Sequence, residues 1–300
     1  MRVFLTGATG FIGSRIVPEL ISAGHAVLGL TRSDAGAAAL TRAGAEVCRG
    51  TLEAPEALAQ AAAQADAVIH TAFDHDFSKF VANCEKDQRV IEAIGGALAG
   101  TDKPFLITSG VGMGNGAPGE PALEQQFDRD NTNPRILSEL AGQAVAARGV
   151  SVAVVRLPQV HDRHKQGLIT PMIEVARRRG FVAYVGAGAT RWSAAHVTDV
   201  ARLYCLALDR HVAGARYHAV AEEGVSSRQI AEAVGRRLGL PVRSLTMDEV
   251  PDYYGPLVHF ANLDLPASSQ WTRNTLDWTP TGPDLLSDLA HLNDDATPAG

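Results

Sequence analysis

The sequence predicts an α/β fold, a doubly wound parallel sheet that carries a smaller C-terminal lobe. Three observations predict it: β-rich runs alternate with alanine-rich stretches of helical length in the first half, a glycine-rich turn follows the first run, and the rhythm changes after Arg156. The runs are residues 2–6, 26–31, 45–49, 67–71, 105–108 and 152–156, and the segments 13–23, 56–64, 88–98 and 134–148 have helix length and composition. Strands at this spacing are joined by right-handed crossovers and lie parallel in one sheet. Beyond Arg156 the expected elements are a helix at 169–179, short strands around 182–185 and 217–219, and helices near 227–238 and 284–292. The chain is therefore divided at residues 1–160 and 161–300, with 196–210 returning as a helix to pack on the first part.

Bulk composition narrows the function classes. The 300 residues are 46% hydrophobic and 20% charged with a formal net charge of −6, the balance of an ordinary globular protein with a sizeable core. Arg177, Arg178 and Arg179 form a short cluster at an expected helix end, where cations suit the dipole, and no basic stripe exists for nucleic acid. Cys48, Cys84 and Cys205 are odd in number and lack zinc-type spacing, which fits a reducing, cytoplasmic setting. No run of roughly 18 apolar residues is present, so neither a membrane span nor a membrane partner is expected.

The strongest motif is Thr6-Gly7-Ala8-Thr9-Gly10-Phe11-Ile12-Gly13, set between the first strand and an apolar helix. Gly7 permits the tight turn, Gly10 lets backbone approach a pyrophosphate, and Gly13 lets the helix lie against the strand, while free N–H groups receive the anion. This is a dinucleotide fingerprint, and residues 1–160 read as a Rossmann-type dinucleotide-binding domain. Cofactor choice is set at the end of the second strand, about 20 residues after the glycines, where a carboxylate would bind the ribose 2′-hydroxyl. That stretch holds Thr31, Arg32 and Ser33 and no acid. A guanidinium flanked by hydroxyls suits a 2′-phosphate, so NADP(H) is expected.

The octapeptide at residues 6–13 resembles that of the extended short-chain dehydrogenase/reductases, the group of sugar-nucleotide epimerases and dehydratases. The resemblance runs along nearly the whole chain: residues 66–72, the stretch His196-Val197-Thr198-Asp199-Val200-Ala201, and Trp278-Thr279-Pro280 are similar to family segments. It implies that Gly50, Thr51 and Leu52 lie near the adenine, that Thr71, Ala72, Phe73 and Thr108 flank the cofactor, and that Leu157, Pro158 and Gln159 adjoin the nicotinamide. It also implies a homodimer through the two helices flanking the fifth strand.

The chain departs from the family in its catalytic set. Where the family places Tyr-x-x-x-Lys, this sequence has Arg135 and Glu139, and the position matching the catalytic serine is Gly110, with Ser109 one place away. The usual mechanism needs a phenol to exchange a proton with the carbonyl oxygen, which a guanidinium cannot do at neutral pH. The pattern resembles an atypical subgroup that keeps the fingerprint without those residues.

Candidate catalytic residues are then Ser109, Arg135 and His161. Arg135 either polarises a carbonyl, imine or activated alkene by its charge, or pairs structurally with Glu139 one turn later. His161, Tyr184 and His75 are the candidate proton donors. His161 and His164 form a His-x-x-His without a third ligand and beside Arg163 and Lys165, so no metal is expected. The glycine-rich stretch 110–121 is expected as a mobile loop flanking the cleft, and some second-lobe aromatics, among them Phe181, Trp192 and Phe260, as walls for a ring-bearing substrate. Two functions follow. One is NADPH-dependent reduction of a polarised double bond in a small molecule; the other is a cofactor-binding regulator resembling the NmrA-like proteins, without turnover.

Overall fold

A computed structural model describes residues 1–114, 117 and 119–293. Its first half alternates strand and helix: β1 Arg2–Thr6, α1 Gly13–Ser22, β2 Ala26–Thr31, α2 Asp34–Arg42, β3 Glu46–Arg49, α3 Pro55–Ala63, β4 Ala67–His70, α4 Phe80–Leu98, β5 Phe105–Gly110, α5 Ile136–Ala146 and β6 Val152–Leu157. The second half adds β7 Gln159–His161, α6 Ile169–Arg179, β8 Val182–Val185, β9 Arg191–His196, α7 Val197–Asp209, β10 Arg216–His218, β11 Glu222–Ser226, α8 Ser227–Leu238, β12 Val242–Leu245, α9 Val250–Tyr254, α10 Gln270–Leu276 and α11 Leu285–Ala290.

Seven strands form one parallel sheet in the order β10-β6-β5-β4-β1-β2-β3. The order reverses beside β1, and in open sheets of this kind the crevice at the strands' carboxyl ends is where ligands bind. Apolar runs such as Val3-Phe4-Leu5 are buried on both faces, because helices cover both sides of a parallel sheet. Helices α1 and α7 close one face through Ile16, Leu20, Val200 and Tyr204, and α4 and α5 close the other through Ile91, Ile94, Ala141 and Val145. The returning helix expected at 196–210 is thus α7.

Two expectations about elements need correction. The strand expected at 217–219 is β10, and it extends the large sheet beside β6 instead of belonging to the smaller lobe. The lobe instead holds a three-stranded sheet, β11-β9-β7, and a pair, β12-β8.

The stretch expected as a loop at 110–121 begins as a buried turn of 3-10 helix, Val111–Gly114, and part of it, residues 115, 116 and 118, lies outside the described residues. Its far end is pinned: Ala122 bridges Ala267, and the buried Glu124 carboxylate accepts from the N–H and hydroxyl of Thr272 at 2.9 Å each.

Candidate functional site

The phosphate turn is built from backbone that only glycine can supply. Gly7 lies at φ +70°, and a Cβ there would sit 2.7 Å from Thr71 Oγ1; a Cβ on Gly13 would overlap Gly7 O. Thr6 stitches the turn to the segment after β4: its Oγ1 accepts from Ala72 N at 3.2 Å and meets His70 Nδ1 at 2.7 Å, while Thr71 Oγ1 donates to Thr6 O at 2.8 Å. Helix α1 has no side-chain N-cap, and the N–H groups of Phe11, Ile12 and Gly13 have no partner among the described residues. Those open donors at a helix N-terminus fit an anionic diphosphate.

At the end of β2, Ser33 caps α2 by accepting from Gly36 N at 3.1 Å, and a Cβ on Gly36 would reach Thr9 Cγ2 at 3.1 Å, which brings Thr9 against the start of α2. The nearby acid, Asp34, is drawn away to Arg49 at 2.5 Å, whereas exposed Arg32 has no ion-pair partner among the described residues. Gly50 N donates to Thr31 O at 3.2 Å, so Gly50, Thr51 and Leu52 continue the wall of the same groove, and the Thr31 side chain is buried beneath it. Next to it Lys86 bridges Glu53 at 2.5 Å and Asp74 at 3.1 Å.

The reacting end of the cleft is organised around Arg135, at the N-terminus of α5. Its Nη1 meets Asp87 Oδ2 at 2.6 Å and also Ser138 Oγ, its Nη2 donates to Thr108 O at 2.9 Å, and its guanidinium lies over the Phe73 ring at 4.2 Å. Asp87, buried on α4, also meets His70 Nε2 at 2.9 Å and accepts from Ser138 Oγ at 2.6 Å. Burial alone would raise this carboxyl, but Arg135 and the hydrogen bonds from His70 and Ser138 outweigh it and hold it well below the usual carboxylate range. The Nε–H and one Nη2–H of Arg135 have no partner among the described residues. They are fixed hydrogen-bond donors.

The expected pairing of Arg135 with Glu139 does not form. Glu139 Oε1 and Oε2 instead accept from Arg156 Nε and Nη2 at 2.7 and 2.9 Å, both side chains being fully buried, and Arg216 Nε joins at 3.1 Å. Arg156 also donates to Gln126 O at 2.9 Å, so this pair anchors the segment between β5 and α5. Glu139 thus belongs to the scaffold.

Three other residues sit away from where the sequence reading put them. Ser109 is buried on the face it shares with Ile107 and pairs in register with Arg156, so it points under α5 and not into the cleft, because side chains alternate along a strand. Gly110 occupies the strand's open end; a Cβ there finds only Leu157 O, at 4.0 Å. His161 is no loop residue but a buried one on β7, where its Nδ1 meets Asp288 Oδ2 at 2.7 Å. His164 instead meets Asn293, so the two imidazoles do not converge. Gln159 turns into the second lobe and accepts from Leu168 N at 3.0 Å, leaving half-buried Leu157 and Pro158 at the cleft. Thr108 uses its hydroxyl on His70 O at 2.7 Å and on the buried Tyr204 at 2.6 Å.

Beside Arg135 a chain of rings crosses between the lobes. Phe73 contacts His75 (5.4 Å between centroids) and Phe80 (6.3 Å), and Phe260 of the second lobe contacts Phe77 (5.5 Å) and Phe80 (6.3 Å). His75 keeps an exposed edge, yet the surrounding groups desolvate it, and the charges of Lys165 and Arg135 add to that in lowering its pKa below the ordinary imidazole value. Tyr184 and Trp192 line a cavity of about 50 Å³ inside the second lobe. That is room for a few waters, against roughly 300–1,000 Å³ for a ligand pocket. Asp87, Ser138 and the Phe77–Phe80 pair carried no motif or spacing that marked them in the sequence, and His70, inside the family-like segment 66–72, was given no role.

The model of the NAD dependent epimerase/dehydratase family matches residues 3–221. An uncharacterized protein of Schizosaccharomyces pombe is 44% identical over 97% of this chain and 98% of its own length, and one of Saccharomyces cerevisiae is 39% identical over 96% and 98%. Vestitone reductase of Medicago sativa is 26% identical over 72% of this chain and 76% of its own. Among solved structures, the dTDP-glucose 4,6-dehydratase DesIV of Streptomyces venezuelae with NAD bound superposes with a TM-score of 0.77 at 18% identity, covering 97% of this chain and 95% of its own. No helix among the described residues is long and apolar enough to cross a membrane.

Proposed function

Because the chain belongs to the NAD dependent epimerase/dehydratase family, we propose that it is an NADPH-dependent reductase of a carbonyl, imine or activated alkene in a small, ring-bearing molecule, working without the family's tyrosine. The observation that carries the reading is Arg135, locked by Asp87, Thr108 O and Phe73 with two N–H donors left over. Vestitone reductase, a reductase by name, lends support to reduction as the reaction type.

The residues present fit the dinucleotide: the turn packs so tightly at Gly7 and Gly13 that neither position has room for a Cβ, and it leaves the N–H groups of Phe11, Ile12 and Gly13 open at the start of α1. Phe11, Ile12 and Gly13 would hold the diphosphate, and exposed Arg32 with Ser33 and Thr9 would hold the 2′-phosphate, while the buried Thr31 only supports them. When bound, the dinucleotide supplies hydride. The chain does the rest. Phe73, Phe77, Phe80 and Phe260 seat a flat ring and exclude water. The free N–H groups of Arg135 hold the substrate's oxygen or nitrogen and stabilise charge developing there. Asp87 fixes the guanidinium in place and keeps it from giving up a proton, so the proton comes from water by way of His75, an imidazole held neutral at pH 7.

Following NADPH absorbance at 340 nm with a panel of aryl aldehydes, ketones, imines and enones tests this reading; substrate-dependent loss supports it. The regulator reading is favoured by one observation, the counter-charge of Asp87 on Arg135, and it is the conclusion if NADPH binds tightly and none is consumed. A homodimer through α4 and α5 and a cytoplasmic setting are proposed alongside.

A further inference from the structure

We infer that Lys165, from the second lobe, closes over the cofactor's diphosphate and makes the dinucleotide a bridge between the two lobes; this rests on the reading of the glycine turn as an NADP(H) site. The lysine stands on a rigid turn. His161 and Gln166 form an antiparallel bridge, Asp162 N donates to Lys165 O at 2.8 Å, and Asp162 Oδ1 accepts from His164 N at 2.7 Å and Lys165 N at 2.9 Å. Gln166 Nε2 closes the turn on Asp162 O at 2.8 Å. The turn is docked on the nucleotide domain, where Asp162 Oδ2 faces Arg15 of α1 at 3.7 Å.

From this base the Lys165 ammonium reaches over the Phe11 ring, 5.7 Å from its centroid, and Phe11 is one of the three residues whose N–H groups stand open at the start of α1. Its charge is felt across the groove by His75, on the segment after β4. Lys79, Lys86 and Lys103 each meet a carboxylate or carbonyl, at 3.9, 2.5 and 2.8 Å, whereas the Lys165 ammonium has no ion pair or hydrogen bond among the described residues. An exposed cation held on a fixed turn, opposite a helix N-terminus with free donors, gives a two-sided seat for a doubly charged anion. Neither side alone defines the seat; their juxtaposition across the lobe boundary does.

Titration of the full chain and of Lys165→Met with NADPH and with adenosine 2′-monophosphate, which lacks the diphosphate, tests the inference. The substitution is expected to weaken NADPH about tenfold, equivalent to about 1.4 kcal/mol, and to make its affinity less dependent on salt. Adenosine 2′-monophosphate binding and the melting temperature should stay at their unsubstituted values, and Lys165→Arg should keep most of the NADPH affinity. Unchanged NADPH affinity in Lys165→Met overturns the inference while leaving the cofactor reading intact. Equal losses for both ligands also overturn it, because the effect would not lie at the diphosphate. If the unsubstituted chain binds neither ligand, the cofactor reading fails and the inference falls with it.

Discussion

Replacing Glu139 by Gln should be among the most damaging single changes in the protein although it touches no substrate. Glu139 and Arg156 are both fully buried and joined by two charge-assisted hydrogen bonds, with Arg216 as a third member. Removing the carboxylate leaves the Arg156 charge buried without compensation, a loss on the order of 3–5 kcal/mol. That is a large fraction of the roughly 5–15 kcal/mol that holds a typical native protein together. At an unfolding entropy of about 2.1 cal/mol/K per residue, a chain of 300 residues loses roughly 1.6 °C per kcal/mol, so the melting temperature should fall about 5–8 °C, read by calorimetry or by thermal unfolding followed by circular dichroism. Glu139→Lys should be worse, since it sets an ammonium against Arg156 and Arg216. A Glu139→Met, Arg156→Met double variant should recover part of the loss, because replacing both charges leaves no ion stranded. Glu139→Gln within about 1 kcal/mol of the parent, or Glu139→Lys at parental stability, would refute the assignment of this position to the scaffold.

Three more outcomes follow. Arg32→Asp should weaken NADPH by about tenfold or more and leave NADH nearly unchanged, since one charge-assisted contact to the 2′-phosphate is lost and a repulsion gained; equal losses in a binding titration would remove the NADP assignment. Arg135→Leu should abolish turnover while NADPH affinity stays within about twofold, and unchanged turnover would return Arg135 to a structural role. His218 is buried beside Arg156, and burial first, then that guanidinium, push its pKa down to about 3 from the ordinary 6.5. Between those values the unfolded chain binds a proton that the native one refuses, so stability falls as pH falls from about 6.5 toward about 3, at up to about 1.4 kcal/mol per pH unit for this group. His218→Asn should flatten that slope in urea unfolding between about pH 4.5 and 6.5; an identical slope would show that His218 is not held neutral.

The large sheet and the phosphate turn were legible because both rest on local rules: period and spacing for strands 2–6 to 152–156, and three glycines whose roles are steric. The exposed place of Arg32 just after β2 was legible for the same reason, lying at a fixed distance from those glycines. Arg135 could be placed but not understood, since its partner Asp87 lies 48 residues earlier in a helix, and nothing in the spacing separates that contact from the i,i+4 pairing with Glu139. Ser109 was misread by one step of strand alternation, which moves a side chain from one face of a sheet to the other. His161 gave no strand signal because the three-residue strand β7 is too short to show a period, and Asp288, which fixes it, is 127 residues away. Lys165 was weighed only as an obstacle to a metal. Its position over Phe11 depends on the packing of the second lobe against the first, which no local pattern encodes.

We propose that this chain moves hydride from NADPH to a polarised double bond held by Arg135. The most direct measurement uses NADPH stereospecifically deuterated at C4, in each of its two epimeric forms, with a reactive aryl ketone and mass spectrometry of the product. One deuterium is expected on the carbinol carbon from one epimer and none from the other, with the transfer lost in Arg135→Leu. Tight binding of both epimers with no labelled product from any member of the panel would contradict it and leave the dinucleotide as a bound signal that is not consumed.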